Sequence, residues 1–195
     1  PGVRQRPRPP LTDGMPSGCR WRASDVALLA EQAARTPRPV VLIDGPSGSG
    51  KTTFAHALLA AWPESVRTPE LISMDTLYPG WDGLAAGSDA VEALLACEAQ
   101  GYRRWDWERG RPGDWVAIDP AAPLVVEGCG ALTPRTRALA SLGIWLDADE
   151  DERRVRALER EPGYAPHWER WAAQERVHWA EHRPWELADV RISTP

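Results

Sequence analysis

The chain has 195 residues and a formal net charge of −5, with 28 acidic residues against 23 lysines and arginines. This length suits one domain with a substantial core, and the acidic balance argues against a nucleic-acid surface as the main partner. The sequence shows no apolar run as long as a membrane span and no secretory signal. We therefore expect a cytoplasmic protein without a membrane partner.

The first segment of the chain, residues 1–20, is rich in proline and glycine and has no apolar period. We expect this segment to be disordered and residues 21–195 to form the single folded domain. Met15 offers an alternative first residue of the native chain. Cys19, Cys97 and Cys129 are odd in number and lack zinc-binding or redox spacing, so we expect reduced thiols.

A glycine-rich segment lies between an apolar run and a predicted helix. Gly45, Gly50, Lys51 and Thr52 fill the pattern G-x-x-x-x-G-K-[ST] of the phosphate-binding loop. Residues 40–43 before it are typical of a buried parallel strand, and residues 53–61 after it are typical of a helix packed on a sheet. The residues that we expect to contact a nucleotide are Gly45, Pro46, Ser47, Gly48, Ser49, Gly50, Lys51, Thr52 and Thr53.

The residue types in this loop fit the binding of a triphosphate. Glycines let backbone N–H groups turn inward, and the following helix adds the partial positive charge of its N-terminus. We expect Lys51 to reach the β- and γ-phosphates of ATP and the Thr52 hydroxyl to bind Mg²⁺. Lys51 is the only lysine among the 23 basic residues, which supports a need for a compact ammonium at this position.

Further apolar segments and helical patterns alternate along the chain. They predict an α/β protein of the three-layer P-loop type, with a five-stranded parallel sheet in the order 2-3-1-4-5 and helices on both faces. Residues 102–119 are interpreted as a loop with a short hairpin or an extended edge. The later strands are predicted over residues 71–74, 124–126, 144–146 and 188–192. The other helices are predicted over residues 25–34, 90–100, 149–161 and 167–181. Ser24 is the expected cap of the first of these helices, and Ser88 or Asp89 is the expected cap of the second.

Two acidic residues directly follow predicted strands. Asp75 and Glu127 are expected in the nucleotide crevice, because ligands bind at the carboxyl ends of the strands in open α/β sheets. Glu127 is expected to hold Mg²⁺ directly or through water. The turn-rich loop after Asp75 carries Tyr78 and Trp81 and is expected to form the edge of the pocket.

Four separated segments resemble the uridine kinase-like kinases of the P-loop fold, which are similar to phosphoribulokinases and pantothenate kinases. They are GPSGSGKTT at the loop, ISMDTLY around Asp75, WDW at residues 105–107 and DADEDERRVRALERE from Asp147, and the resemblance spans about residues 40–192. The resemblance implies ATP-dependent transfer of a phosphoryl group to a hydroxyl of a small molecule. It also implies that Asp75 and Tyr78 contact the acceptor hydroxyl and that WDW lines the acceptor pocket.

The resemblance further implies that residues 149–161 form a lid helix whose arginines face the phosphates. Arg153, Arg156 and Arg160 are spaced by three and four residues, which independently places them on one helix face where they can close over the transferring phosphoryl group. A solvated charged helix is the alternative, because Glu152 can pair with Arg156.

The acceptor side is less sharply defined. We expect Arg104, Trp105 and Asp106, together with Arg103, to bind the acceptor, with tryptophan stacking on a flat ring and aspartate accepting sugar hydroxyls. The alternative is that Trp105 and Trp107 only pack the loop against the core. Gly110 and Pro112 stand where uridine kinases carry a histidine and an arginine that read the base. The acceptor, nucleoside-like or another small alcohol, therefore stays open.

The sequence favours an ATP- and Mg²⁺-dependent small-molecule kinase with Lys51, Asp75 and the three lid arginines in its catalytic centre. The alternative is an ATP-binding regulatory or chaperone-like P-loop protein, but a pure binder requires neither Asp75 nor the arginine helix. A GTP switch is disfavoured, because guanine reading commonly uses a second lysine. The eleven tryptophans include several in the C-terminal segment, which is compatible with a homodimer.

Overall fold

A computed structural model describes residues 21–194. The predicted disorder of residues 1–20, the start at Met15 and the state of Cys19 lie outside the described residues. Within the described part, five parallel strands form a central sheet and two antiparallel strands form a separate hairpin. The strands are β1 (Val40–Asp44), β2 (Glu70–Ser73), β3 (Gly101–Asp106), β4 (Arg111–Ala117), β5 (Leu124–Glu127), β6 (Leu142–Asp147) and β7 (Val190–Ser193).

The sheet has the strand order β2-β5-β1-β6-β7, with Ile43 of β1 opposite both Glu127 and Ile144. The predicted α/β class with five parallel strands is confirmed. The strand labels in this order differ from the predicted 2-3-1-4-5. The reason is that β3 and β4, which lie outside the sheet, come between its second and third strands along the chain. These two strands are the segment that was interpreted as a loop with a hairpin.

Helices cover both faces of the sheet. The α-helices are α1 (Ala23–Ala33), α2 (Lys51–Ala60), α3 (Leu84–Leu95), α4 (Pro134–Leu139), α5 (Glu150–Arg160), α6 (Trp168–His182) and α7 (Pro184–Leu187), and 3₁₀ turns cover Met74–Thr76 and Pro162–His167. Among residues 21–194, no helix combines the length and the apolar character needed to span a membrane.

Two predicted helix starts are wrong. α1 begins at Ala23 with Arg22 rather than Ser24 at its N-cap. α3 begins at Leu84, six residues before the predicted start, and Ser88 lies inside it with its hydroxyl donating to the Gly130 carbonyl at 2.8 Å. Gly87, which looks like a helix breaker, lies in α3 because a Cβ there would come within 2.5 Å of the Tyr78 ring. The glycine thus allows close packing.

The core lies on both sides of β1, all five residues of which are buried. Val41 and Ile43 pack with α1 and α2 on one face, while Val40 and Leu42 pack with α3 and α6 on the other. Coverage on both faces explains why β1 is apolar without alternation. The carboxyl edge of the sheet stays accessible, and the loops after β1, β2 and β5 meet there.

Candidate active site

The glycine-rich loop joins β1 to α2 at the carboxyl edge of the sheet. Gly50, at φ +91°, precedes α2, and Gly48 has φ +79°. A Cβ on Gly48 would lie 2.2 Å from the Arg153 carbonyl oxygen, so both the backbone conformation and the space require glycine there. The loop is therefore pressed against α5 at one point.

Lys51 is the first residue of α2 and points back into the loop. Its Nζ donates to the Pro46 carbonyl at 2.9 Å and lies 3.6 Å from Cys129 Sγ. Burial by itself lowers the pKa of Lys51, but attraction to Cys129 and to the surrounding carboxylates raises it overall. The ammonium therefore stays charged where phosphates would bind.

Thr52 and Glu127, the two predicted Mg²⁺ ligands, lie side by side. The Thr52 hydroxyl donates to Glu127 Oε2 at 3.2 Å, and Glu127 is buried at the end of β5. A hydroxyl and a carboxylate are hard oxygen donors, and Mg²⁺ in nucleotide sites is usually held by one or two such groups together with phosphate oxygens. The pair therefore fits the predicted ion.

Ser47 has all its polar groups bonded to the segment that follows β6, here called the lid segment (residues 148–182). Its N–H and its hydroxyl both donate to Glu175 Oε1 at 2.8 Å. The Tyr164 hydroxyl donates to Ser47 Oγ at 3.1 Å, and Arg153 Nη1 donates to the Ser47 carbonyl at 3.0 Å. α5, the following 3₁₀ turn and α6 are thus all joined to the loop through one residue.

Glu175 is a site residue that the sequence analysis missed. It is 2% exposed, and its Oε1 also accepts from Cys129 Sγ at 3.0 Å. A glutamate in a polar helix ordinarily lies at the surface. The available signal was its spacing, because Trp171, Glu175 and His178 follow one another at helical intervals on the buried face of α6.

The three predicted phosphate-facing arginines have different environments. Arg153 is buried and donates from Nε to the Ala148 carbonyl at 3.1 Å, besides its bond to Ser47. Arg156 donates to the backbone carbonyl of Glu152, whereas Arg160 lines the cleft. The prediction that all three arginines face the phosphates is therefore corrected for Arg153. This residue supports the loop, because α5 packs directly against the loop.

Asp44, also missed, ends β1 and is fully buried. Its Oδ1 accepts from the N–H groups of Gly45 at 2.6 Å and Gly130 at 3.0 Å, and its Oδ2 accepts from Leu132 at 2.8 Å. Burial raises the pKa of Asp44 to about 6 although the hydrogen bonds lower it. Asp44 therefore ties the loop after β5 to the phosphate loop.

His178 lies behind this carboxylate, with Nε2 at 3.9 Å from Asp44 Oδ2. The ring is 5% exposed, and Nε2 has no hydrogen-bond partner within residues 21–194. Burial lowers its pKa to about 4, with a smaller contribution from His182. His178 is therefore uncharged at neutral pH.

Asp75 stands across the cleft from the loop, in the 3₁₀ turn after β2, with an exposed side chain. The structure places it in one cleft with Lys51, Thr52 and Glu127. Aromatic side chains surround its half of the cleft. They are Tyr78, Trp81, Trp107, Tyr164 and Trp171.

Three predicted acceptor residues on the hairpin, Arg104, Trp105 and Asp106, are not among the residues that line this cleft. The Asp106 carboxylate accepts from the N–H and the guanidinium of Arg109, both at 2.9 Å, and closes the hairpin turn. Trp107 lines the cleft instead and donates from Nε1 to the Asp75 carbonyl at 2.8 Å. The reason is that β3 ends at Asp106, so Trp107 leaves the strand and reaches Asp75.

Tyr78 lines the cleft with Asp75, and its role as a contact of an acceptor hydroxyl stays a prediction. It is 1% exposed, and its hydroxyl donates to the Cys129 carbonyl at 2.7 Å. Its ring contacts Trp171 at 4.7 Å between centroids. Tyr78 therefore also fixes the loop after β5.

Replacing Glu175 should destabilise the protein. Glu175→Ala removes the acceptor of the Ser47 N–H and hydroxyl and one of the two acceptors of the Cys129 thiol, so we expect the free energy of unfolding to fall by about 2–4 kcal/mol. Glu175→Gln keeps an acceptor oxygen and should cost less. Urea denaturation measures both, with the exposed Glu169→Ala as a control expected to stay within about 0.5 kcal/mol. An equal effect of Glu175→Ala and Glu169→Ala would contradict the assignment.

The buried His178 should make stability depend on pH. Between its ordinary pKa of 6.5 and about 4, the unfolded chain binds more protons at this residue than the folded chain, so the unfolding free energy falls as the pH falls. His178→Leu removes this loss. We expect the variant to lose less stability than the unchanged protein over that range, by up to about 1.4 kcal/mol per pH unit.

Urea titrations at several pH values test this expectation, with the exposed His56→Gln as the control. If the unfolding free energies of His178→Leu and of the unchanged protein change in parallel with pH, His178 does not resist protonation in the folded protein.

Comparisons with known proteins bear on the fold. No protein-family model matches the chain, and no curated protein sequence matches it significantly. A solved structure of a possible uridine kinase from Bacillus stearothermophilus matches with a TM-score of 0.60 and 18% identity, covering 86% of this chain and 96% of that one. The structure of TT1252 from Thermus thermophilus matches with a TM-score of 0.43 and 19% identity, covering 82% and 90%. The first likeness shows that the chain shares the fold of that structure.

Proposed function

We propose that the protein is an ATP-dependent kinase that transfers the γ-phosphoryl group to a hydroxyl of a small alcohol, nucleoside-like or of another class. The observation that carries the proposal is that an accessible carboxylate, Asp75, shares one cleft with Lys51 and the phosphate loop. Within residues 21–194 the Asp75 carboxylate has neither a hydrogen bond nor an ion pair with another residue. It is therefore available to a ligand, which a protein that only binds ATP does not require.

In this proposal the loop amides and Lys51 bind the donor phosphates, and Asp75 orients the acceptor hydroxyl. The acceptor oxygen forms a bond to the γ-phosphorus while the bond to the β-phosphate oxygen breaks, and the hydroxyl proton passes to Asp75. Because such transition states are loose, positioning and charge neutralisation supply most of the catalysis. Arg160 lies where it can stabilise charge on the transferred group.

Mg²⁺ bound by Thr52 and Glu127 would neutralise phosphate charge. Glu127 is suited to this task because it is buried, and Thr52 Oγ1 already lies within hydrogen-bond distance of it. The buried supports behind the loop, Glu175 and Arg153, would keep its amides aligned as the donor binds. Pre-alignment of this kind lowers the cost of assembling the transition state.

Asp75→Asn should separate donor binding from transfer. We expect ATP affinity to remain nearly unchanged while acceptor-dependent ADP release falls about 100-fold or more, because the amide is no longer a base. Lys51→Ala should abolish activity. The assay follows ADP release with ATP and Mg²⁺ over a panel of nucleosides, sugars, pantothenate-like alcohols and hydroxylated antibiotics.

Asp114→Asn is the matched control, since this aspartate is exposed on the hairpin and does not line the cleft. It should leave turnover intact. ADP release that no acceptor stimulates would contradict the kinase and favour the regulatory ATP-binding alternative, and full turnover by Asp75→Asn would remove Asp75 from the mechanism.

A further inference from the structure

The cleft is lined by two carboxylates that no cation pairs with directly. Asp75 and Glu161 have exposed side chains without an ion pair or side-chain hydrogen bond within the described residues. The cations lining the cleft are Lys51, which points into the loop, and Arg160 at the end of α5. Both are suited to the donor phosphates. An acceptor with its own carboxylate or phosphate would therefore meet repulsion here.

Two tryptophans form an angled wall in this half, here called the tryptophan corner (Trp81 and Trp107). Their ring centroids are 4.8 Å apart and their planes are inclined by 56°. Trp81 is fixed by stacking on the His167 ring at 4.1 Å. Trp107 is fixed by its bond to the Asp75 carbonyl, yet it remains 38% exposed. The corner is thus held in place from both sides and lies directly beside Asp75.

Three hydrogen-bonding groups of the surrounding aromatic residues are already engaged within the protein, whereas the indole N–H groups of Trp81 and Trp171 have no hydrogen-bond partner within the described residues. The hydroxyls of Tyr78 and Tyr164 bond to the Cys129 carbonyl and to Ser47, and the indole N–H of Trp107 bonds to Asp75. Tyr78, Tyr164 and Trp107 therefore present rings rather than free donors to a ligand. Reading the edge of a nucleobase needs several matched donors and acceptors, whereas ring faces next to carboxylates favour a cation.

On the basis of the proposed kinase function, we propose that the acceptor is an alcohol that carries a cationic amine or quaternary ammonium group. The cation lies against the tryptophan corner, attracted by the negative faces of the rings and by the Glu161 carboxylate. The hydroxyl then reaches Asp75, because Trp107 and Asp75 are joined directly by a hydrogen bond. Recognition is thus by charge and aromatic contact.

The test uses two alcohols of the same shape that differ in charge. Choline carries a trimethylammonium group, and 3,3-dimethylbutan-1-ol carries a neutral tert-butyl group in its place; homologues longer by one methylene are included. Calorimetry measures their binding to the full chain loaded with Mg²⁺ and a non-hydrolysable ATP analogue. We expect the cationic member of a pair to bind at least tenfold more tightly. Equal affinities, no binding by either member, or tighter binding by a nucleoside would overturn the proposal.

Variants then locate the binding site. Trp107→Leu and Glu161→Gln should each reduce the preference for the cation by about tenfold, whereas Trp107→Phe should retain most of it because an aromatic face remains. Trp115→Leu is the control, since Trp115 lies on the same hairpin, is 56% exposed and does not line the cleft. A preference unaffected by both Trp107→Leu and Glu161→Gln would overturn the assignment to the corner.

The two proposals can fail separately. Binding of the cation without cation-dependent ADP release would contradict the kinase function and leave the cation site standing. ADP release stimulated by neutral alcohols or nucleosides, without preference for a cation, would support the kinase and contradict the cationic acceptor.

Discussion

The phosphate loop can hold an anion only if its backbone is fixed from behind, and two buried carboxylates provide this constraint. Asp44 accepts hydrogen bonds from backbone N–H groups on both loops at the end of β1 and β5, while Glu175 accepts from Ser47 and Cys129. Each carboxylate is buried at the centre of several donors, an arrangement that stabilises the charge and orders the donors together. The lid segment is joined to the same loop through Ser47.

This arrangement also defines the electrostatics around the phosphate loop. Asp44, Glu127 and Glu175 all attract Lys51, and their combined effect opposes the burial that would otherwise discharge it. A buried cluster with more carboxylates than cations is unfavourable unless protons or cations compensate it. A divalent ion at Thr52 and Glu127 would supply such a compensation.

The part of the cleft around Asp75 is built on different principles. Its walls come from three separate parts of the chain: the turn after β2, the hairpin of β3 and β4, and the lid segment. Aromatic packing holds them together, with Trp81 in contact with His167, Tyr164 and Trp107. The unusual tryptophan content of the chain is explained in part by this assembly, because large flat side chains fill an interface between elements that share no backbone pairing.

The sequence by itself determined the phosphate loop, the five parallel strands and the acids that follow β2 and β5, because these features depend on local patterns: glycine spacing, apolar runs and strand ends. The roles of a second set of residues were decided only by the tertiary structure. Glu175 and Asp44 support the loop, Arg153 binds backbone rather than lying in the cleft, and of the two hairpin tryptophans Trp107 rather than Trp105 lines the cleft. Their roles depend on which helix face meets the loop and on where a strand ends, and these are set by packing between residues far apart in the chain.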